Sequence, residues 1–206
     1  GSSTGSLPVA SCDEAREAAE AATTAITLQG AQQVFALLRG KKLIENRSWR
    51  IPLGWHAVHV GAQPINAERA ERTLAAWPDA PPEEGLPHGV IAGLIFIEAH
   101  LSPAQCRKGY IWARGPMCHV VSRAVELPKP VRCRGDRGNW RLPDGVRHRI
   151  LESLTGPEAA EVRHFDLFEA LGDLTAARPC KAPGASTRTA RAAVAEAHVL
   201  DASKKK

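Results

Sequence analysis

The chain has 206 residues, 44% of them hydrophobic, which is enough for one well-packed domain with flanking tails and too few for two large ones. Its formal net charge of +5 and isoelectric point of about 9.1 favour a polyanionic partner. No stretch approaches the roughly 20 apolar residues of a membrane span, and the first residues lack the basic and apolar regions of a secretory signal. We therefore predict an intracellular protein, cytoplasmic or nuclear, without a membrane partner.

The cysteines and histidines do not form a pattern typical of a metal site. Five cysteines are scattered along the chain, and none of them forms a Cys-x-x-Cys pair, which favours reduced thiols over a zinc site. His56 and His59 lie on opposite faces of a predicted strand, so they cannot chelate one ion without distortion. We predict neither a metal ion nor a cofactor.

The first elements are predicted as a tail, a strand and a helix. Residues 1–24 are rich in Ser, Gly, Ala and Glu and contain few large apolar side chains, which predicts a flexible N-terminal tail that could form a solvated helix. A short β-branched segment follows at Ile26. An apolar helix then runs to Gly40, a residue type that commonly ends helices.

Two strands are predicted next, at residues 43–49 and 55–60, because apolar and polar residues nearly alternate there. Pro52 and Gly54 mark a turn between them. Charged and aromatic side chains are concentrated between the helix that ends at Gly40 and the strand at 55–60, where a connecting segment usually carries Ser, Asn and Gly. This corner between helix and strand is therefore the first candidate for a functional site.

The rest of the domain is predicted as alternating helices and strands. Asn66 caps a helix over residues 66–77, and the β-branched run 90–101 is a strand that crosses the core. A further strand follows at 118–128, and residues 144–154 form a closing helix. Short strands with helices at their edges indicate a small α+β domain on a curved or barrel-like sheet.

Three segments, taken in order, carry a resemblance to a known family: LLRGKKLIENRSWRIPLGWHAVHVGA, HGVIAGLIFIEAHLS and GPMCHVVSRAVELPKPVRCRGDRGNWRLP. They resemble the ASCH (activating signal cointegrator homology) domain of the PUA-like superfamily. The resemblance covers roughly residues 25 to 150. It implies a PUA-like fold, with a small curved β-sheet or β-barrel and flanking α-helices, and RNA or nucleotide binding. We divide the chain into a tail (1–24), the ASCH domain (25–155) and an extension with a helix and a flexible basic tail (156–206).

The resemblance implies that the cleft is lined from the corner after Gly40, by residues that include Lys42, Glu45, Arg47, Ser48 and Trp49. Two departures from the family stand out. Gln29 is retained, but the Pro-aromatic corner that follows it in many relatives is absent. Glu45 also stands where relatives that resemble acetylcytidine amidohydrolases have a nucleophilic Thr.

The corner residues can be weighed on their own chemistry. On an ideal strand Glu45, Arg47 and Trp49 share one face and Lys42 points away, so the chain must turn or bulge for Lys42 to meet Glu45. If they meet, the corner supplies donors, an acceptor and a flat ring, as a base or nucleotide requires. The alternative is a structural salt bridge beside a core Trp49. His59 is a further cleft candidate, or else a histidine hydrogen-bonded at a strand end.

Residues 129–149 carry seven basic and two acidic side chains, a surplus of five positive charges. Arg132, Arg134 and Arg137 with neighbouring turns suit contacts to phosphates. The alternative is a solvated basic edge, and in either case we predict that Trp140 lies in the core.

The sequence thus predicts a protein that binds RNA or a nucleotide, with a base in the cleft and arginines on phosphates. One alternative is a hydrolase acting on a modified nucleoside or on RNA, in which Lys42 and Glu45 are catalytic. Another is a coactivator-type interaction module whose tails bind a protein partner.

Overall fold

The computed structural model describes residues 10–63, 65–155 and 160–172. Within them the helices are α1 (Ala10–Ala21), α2 (Ala31–Leu38), α3 (Ala67–Ala76), α4 (Asp144–Leu154) and α5 (Phe168–Leu171). The strands are β1 (Thr24–Leu28), β2 (Ile44–Arg47), β3 (Gly54–Val60), β4 (Val90–Leu101), β5 (Met117–Arg132), β6 (Asn139–Arg141) and β7 (Val162–His164). The tail predictions for residues 1–9 and 173–206 lie outside the described residues.

The strands form one seven-stranded sheet in the order β2-β5-β4-β3-β1-β6, and β7 pairs with β5 beyond the end of β2. Only the β1–β3 pair is parallel among these strands. The predicted strands at 43–49, 55–60 and 90–101 are confirmed as β2, β3 and β4. β4 is central, as expected from its continuous apolar run.

The sheet is strongly curved. In a flat sheet β2 and β1 would lie four strand spacings apart, about 19 Å at the usual spacing. Yet the Arg47 guanidinium on β2 donates from Nη2 to the carbonyl oxygen of Thr27 on β1 at 2.9 Å. Three register shifts between β4 and β5 supply the bends, since bulges increase local twist. The predicted α+β class with a small curved sheet is confirmed.

Each face of the sheet is covered by helices. All eight residues of α2 are buried, and α2 packs on one face against apolar side chains such as Ile26, Val58 and Ile95. Their strand neighbours Ala25, Ala57 and Leu94 point to the other face, under α1 and α4. The alternation of side chains along each strand separates the two cores.

The prediction that residues 1–24 are a tail is wrong for residues 10–24. Residues 10–21 form α1, whose Ala15, Ala18 and Ala19 are at most 4% exposed and pack in the core with α4. Small side chains let a helix approach its neighbours closely, so the helix buries its face without large apolar residues. Thr24 already belongs to β1.

The predicted domain boundary at residue 155 is also wrong. Residues 162–164 form β7, which extends the sheet, and the helix expected in this extension is the short α5. Arg163 Nη1 donates to the carbonyl oxygen of Leu38 at 3.2 Å and contacts Glu126 at 3.0 Å. The compact unit continues to Gly172. None of the described helices is long and apolar enough to cross a membrane.

Candidate functional site

A cleft of about 660 Å³ opens at the corner between α2 and β2. Its walls come from the end of β1, from α3, and from the connections that precede β5 and β6. Eighteen residues line it, among them Gln29, Gln33, Lys42, Glu45, Asn46, Arg47, Trp49, Arg69, Arg72, Trp112, Arg114 and Arg137.

The turn after α2 brings Lys42 to Glu45. Gly40 has a φ of 70°, a left-handed conformation that glycine adopts without strain. The backbone N–H groups of Lys41 and Lys42 both donate to the carbonyl oxygen of Ala36, so the chain reverses before β2 begins. Lys42 Nζ therefore donates to Glu45 Oε2 at 2.7 Å. From the sequence we expected Lys42 and Glu45 to meet only if the chain turned or bulged between the helix and the strand. The structure contains such a turn.

The floor of the cleft is a buried network of alternating charges. Lys42 Nζ also donates to Gln33 Oε1 at 2.9 Å. Arg47 Nε lies 2.9 Å from Glu45 Oε1, an ion pair without hydrogen-bond geometry. Lys42 and Glu45 are 4% and 5% exposed. The salt bridge expected as an alternative to function is thus present, but it lies in the cleft rather than in the core.

Burial and charge act in opposite directions on this pair. Burial lowers the pKa of Lys42 and outweighs the attraction of Glu45. Burial favours the neutral form of Glu45, but the charges of Lys42 and Arg47 outweigh it and lower the pKa of that carboxyl. Glu45 is therefore a carboxylate at neutral pH, and it can only accept hydrogen bonds.

Neighbouring side chains fix the network in place. Gln33 Nε2 donates to the Thr73 hydroxyl of α3, which leaves the Gln33 oxygen facing Lys42. The Trp112 ring lies 5.5 Å from Lys42 Nζ, and its indole N–H donates to the carbonyl oxygen of Lys41 at 2.9 Å. The sequence did not identify Gln33, Thr73 or Trp112, although a glutamine inside an otherwise apolar helix is a signal for a buried polar contact.

Trp49 stands at the rim, in the connection after β2. It is 38% exposed and lies 5.1 Å from the Arg47 guanidinium, so the alternative of a core Trp49 is wrong. Ser48 is exposed beside it but does not line the cleft.

A buried histidine links this connection to the floor. The backbone N–H of Ile51 donates to His119 Nε2 at 3.0 Å, and His119 Nδ1 lies 3.1 Å from the carbonyl oxygen of Glu45. Since Nε2 must accept and the carbonyl can only accept, Nδ1 carries the proton. His119 therefore holds the backbone on both sides of Trp49.

His59 lies outside the cleft walls. It is 3% exposed, its Nε2 lies 3.1 Å from the carbonyl oxygen of Cys133, and a Cβ at Gly135 would sit 2.3 Å from its Nδ1. This placement matches the predicted alternative of a histidine hydrogen-bonded near a strand end. His56 is engaged separately, with Thr24 and Pro52.

The predicted basic segment does not form one surface. Arg137 lines the cleft. Arg132 lines a separate shallow groove of about 290 Å³ with Lys129 and Arg149, and Arg134 lines neither. Trp140 is half-buried rather than fully in the core, with its indole N–H donating to the Thr27 hydroxyl at 3.1 Å.

Three arginines from outside the predicted basic segment line the cleft, although no sequence pattern singled them out. Arg69 and Arg72 of α3 and Arg114 of the connection before β5 line the cleft with Arg137. The lining holds six cationic and two acidic side chains, a surplus of four positive charges. The cleft is therefore suited to an anion.

The described residues offer little for nucleophilic or metal chemistry in this cleft. The lining has a single hydroxyl, that of Thr27, which donates to the carbonyl oxygen of Asp136 at 2.9 Å. Within the same described part of the chain, no group of three or more His, Cys, Asp or Glu is arranged to hold a metal ion.

No protein-family model and no curated protein matches the chain at a significant level.

Proposed function

We propose that the chain is a PUA-like protein of the ASCH family that binds a nucleotide unit of single-stranded RNA in the cleft. The composition of the cleft supports this proposal. A buried network of hydrogen-bond donors and an acceptor lies beneath an exposed tryptophan and a rim of arginines. The segments that resemble the family provide the tryptophan and the charged residues of the floor, Lys42, Glu45 and Arg47.

The floor has unused capacity for a base edge. An ammonium has three N–H donors, and Lys42 directs two of them to Gln33 and Glu45. The Glu45 carboxylate has about four acceptor positions, and among the described residues its side chain pairs only with Lys42 and Arg47. A base presents both donors and acceptors on one edge, so it matches this mixed floor.

The rim and the volume favour a single unstacked nucleotide. Stacking of a base on an aromatic ring contributes about 1–3 kcal/mol, and Trp49 exposes a ring at the mouth. The cleft volume lies within the usual range for sites that hold small molecules. A paired base in a duplex is covered by its neighbours, so single-stranded or looped RNA is the better ligand.

The hydrolase alternative is less well supported. Lys42 and Glu45 are in contact, as acid and base roles would require. The hydroxyl of Thr27 is engaged with a backbone carbonyl, and Glu45 is held between two cations. The described lining therefore lacks a free hydroxyl or thiol nucleophile.

Fluorescence anisotropy with a labelled short single-stranded RNA tests the proposal. Trp49→Ala should weaken binding by roughly fivefold or more, from the loss of stacking. Leu53→Ala is the matched control, because Leu53 is 60% exposed on the same connection and does not line the cleft. Equal affinity of Trp49→Ala and the parent chain, or no binding of RNA at low salt, would overturn the proposal.

A further inference from the structure

We infer that the mouth of the cleft is a phosphate subsite formed by Arg69, Arg72, Arg114 and Arg137, so that the ligand is a phosphorylated nucleotide and not an uncharged nucleoside. This inference rests on the proposed function, since it assigns a position to the phosphate of a nucleotide whose base is in the cleft.

The four arginines reach one opening from separate parts of the fold. Arg69 and Arg72 are three residues apart on α3, so they project from one face of that helix. Arg114 lies between β4 and β5, and Arg137 lies between β5 and β6. All four line the same cleft. Convergence of side chains that are distant in sequence is a tertiary feature, which differs from a run of charges on one solvated face.

These arginines are poorly matched by acids. Among the described residues, no carboxylate lies within 4.0 Å of the guanidinium groups of Arg69, Arg114 or Arg137. Arg72 pairs with Glu68, whose side chain is 76% exposed. By contrast, Arg39 and Arg163, which do not line the cleft, both form ion pairs with Glu126. Unmatched like charges around one opening repel each other, and a bound anion would relieve that repulsion.

Charge is distributed unevenly between floor and mouth. On the floor, Glu45 offsets one of the two cations Lys42 and Arg47. Among the described residues that line the mouth the only acid is Asp136, and one of its oxygens already accepts from the Arg137 backbone N–H at 2.7 Å. The floor therefore suits a polar base, and the mouth suits an anion.

The chemistry of the mouth favours phosphate in particular. A guanidinium presents paired N–H donors that match two oxygens of a phosphate group. The other common phosphate site, a helix N-terminus, is occupied at α2, because Glu83 accepts from the backbone N–H groups of Ala31 and Gln32. The arginines are therefore the groups at this corner that remain for a phosphate.

A competition experiment tests the inference. A labelled single-stranded RNA is bound to the full chain and displaced by the four common nucleosides, by their 5′-monophosphates or by inorganic phosphate. At least one monophosphate should compete tenfold or more better than both its nucleoside and inorganic phosphate. Arg69→Gln and Arg137→Gln should each reduce that advantage, and each should reduce the salt slope of RNA binding by about 0.7.

Arg141→Gln is the matched control, because Arg141 is an exposed arginine on β6 that does not line the cleft. A nucleoside that competes as well as its monophosphate, with RNA binding intact and unchanged in Arg69→Gln, would overturn the phosphate subsite alone. Inorganic phosphate that competes as well as the monophosphates would mean a simple anion site and would also overturn it. Failure of the parent chain to bind RNA or any nucleotide would overturn both this inference and the proposed function.

Discussion

The Lys42 ammonium and the Glu45 carboxylate lie 2.7 Å apart, and each side chain is only 6% exposed. Removing one partner of a buried ion pair leaves an uncompensated charge, whereas replacing both by apolar groups is often tolerated. The stability of this chain should therefore depend on the pair and not on either charge alone.

We expect Lys42→Met to lower the free energy of unfolding by about 3 kcal/mol, measured by reversible urea denaturation. The double variant Lys42→Met/Glu45→Leu should be less destabilised than the sum of the two single variants. Lys41→Met is the control, since Lys41 is exposed next in the chain. Additive effects of the two substitutions would show that the buried charges do not interact.

Acid should destabilise the chain in part through Glu126. Burial would raise the pKa of this carboxyl, but hydrogen bonds and charge from Arg39 and Arg163 outweigh burial and lower it. A group with a lowered folded-state pKa stabilises the fold above its unfolded-state pKa, about 4.3 for glutamate. That contribution is lost as the pH falls from there through the folded-state value.

Denaturation across a pH series checks this expectation. The unfolding free energy of Glu126→Gln should fall less steeply below about pH 4 than that of the parent chain. Glu84→Gln, at an exposed position, should retain the parental slope. Identical acid slopes for Glu126→Gln and the parent would contradict the assignment.

Gly93 should not tolerate a methyl group. A Cβ at this position in β4 would lie 2.3 Å from the carbonyl oxygen of Val125 and 2.5 Å from Leu38, so the strand and α2 could not keep their spacing. Gly93→Ala should cost about 3 kcal/mol of stability, at the upper end of overpacking effects.

The matched substitution is Gly145→Ala, in the first turn of α4, where no atom lies within 4 Å of a new Cβ. In thermal unfolding, Gly145→Ala should leave the melting temperature unchanged or raise it, because alanine favours a helix over glycine. An equal drop in melting temperature for both variants would rule out the steric explanation.

The packing of α1 against α4 and the sheet can be tested separately. Ala18 is 1% exposed, so Ala18→Leu should lose about 1–3 kcal/mol by overpacking. Ala21→Leu, on the exposed side of the same helix, should change stability by less than about 0.5 kcal/mol. Urea denaturation compares them, and a parental midpoint for Ala18→Leu would mean that α1 does not pack on the domain.

The elements with strong local patterns were predictable. The run at 90–101 is mostly apolar and rich in β-branched residues, and the Asn66 side chain accepts from the Arg69 backbone N–H at 3.0 Å, as its capping position predicted. A helix in this part of the chain was allowed for, but the packing of α1 on the domain was missed because its buried face consists of alanines, whose burial a hydrophobic pattern does not reveal. β7 was missed because it is three residues long and depends on pairing with β5.

The residues of the candidate site also include some that the sequence predicted and others that only the fold brings together. Lys42, Glu45, Arg47 and Trp49 are close in sequence, so one segment predicted their proximity. Arg69 and Arg114 reach the cleft through the curvature of the sheet and the position of α3, which no local pattern encodes. Proximity in sequence misled for Arg132 and Arg137, because the chain turns between them and places the two side chains in separate depressions.

RNA bound in this cleft would change the surroundings of the tryptophans that line it, so the tryptophan indole N–H resonances test the proposed function. The five tryptophans can be assigned by Trp→Phe variants and followed in ¹⁵N NMR spectra during titration with a short single-stranded RNA. The resonances of Trp49 and Trp112, which line the cleft, should shift, while those of Trp55 and Trp77 should not. Shifts confined to Trp55 and Trp77, or no shift at all, would mean that RNA does not bind in the cleft.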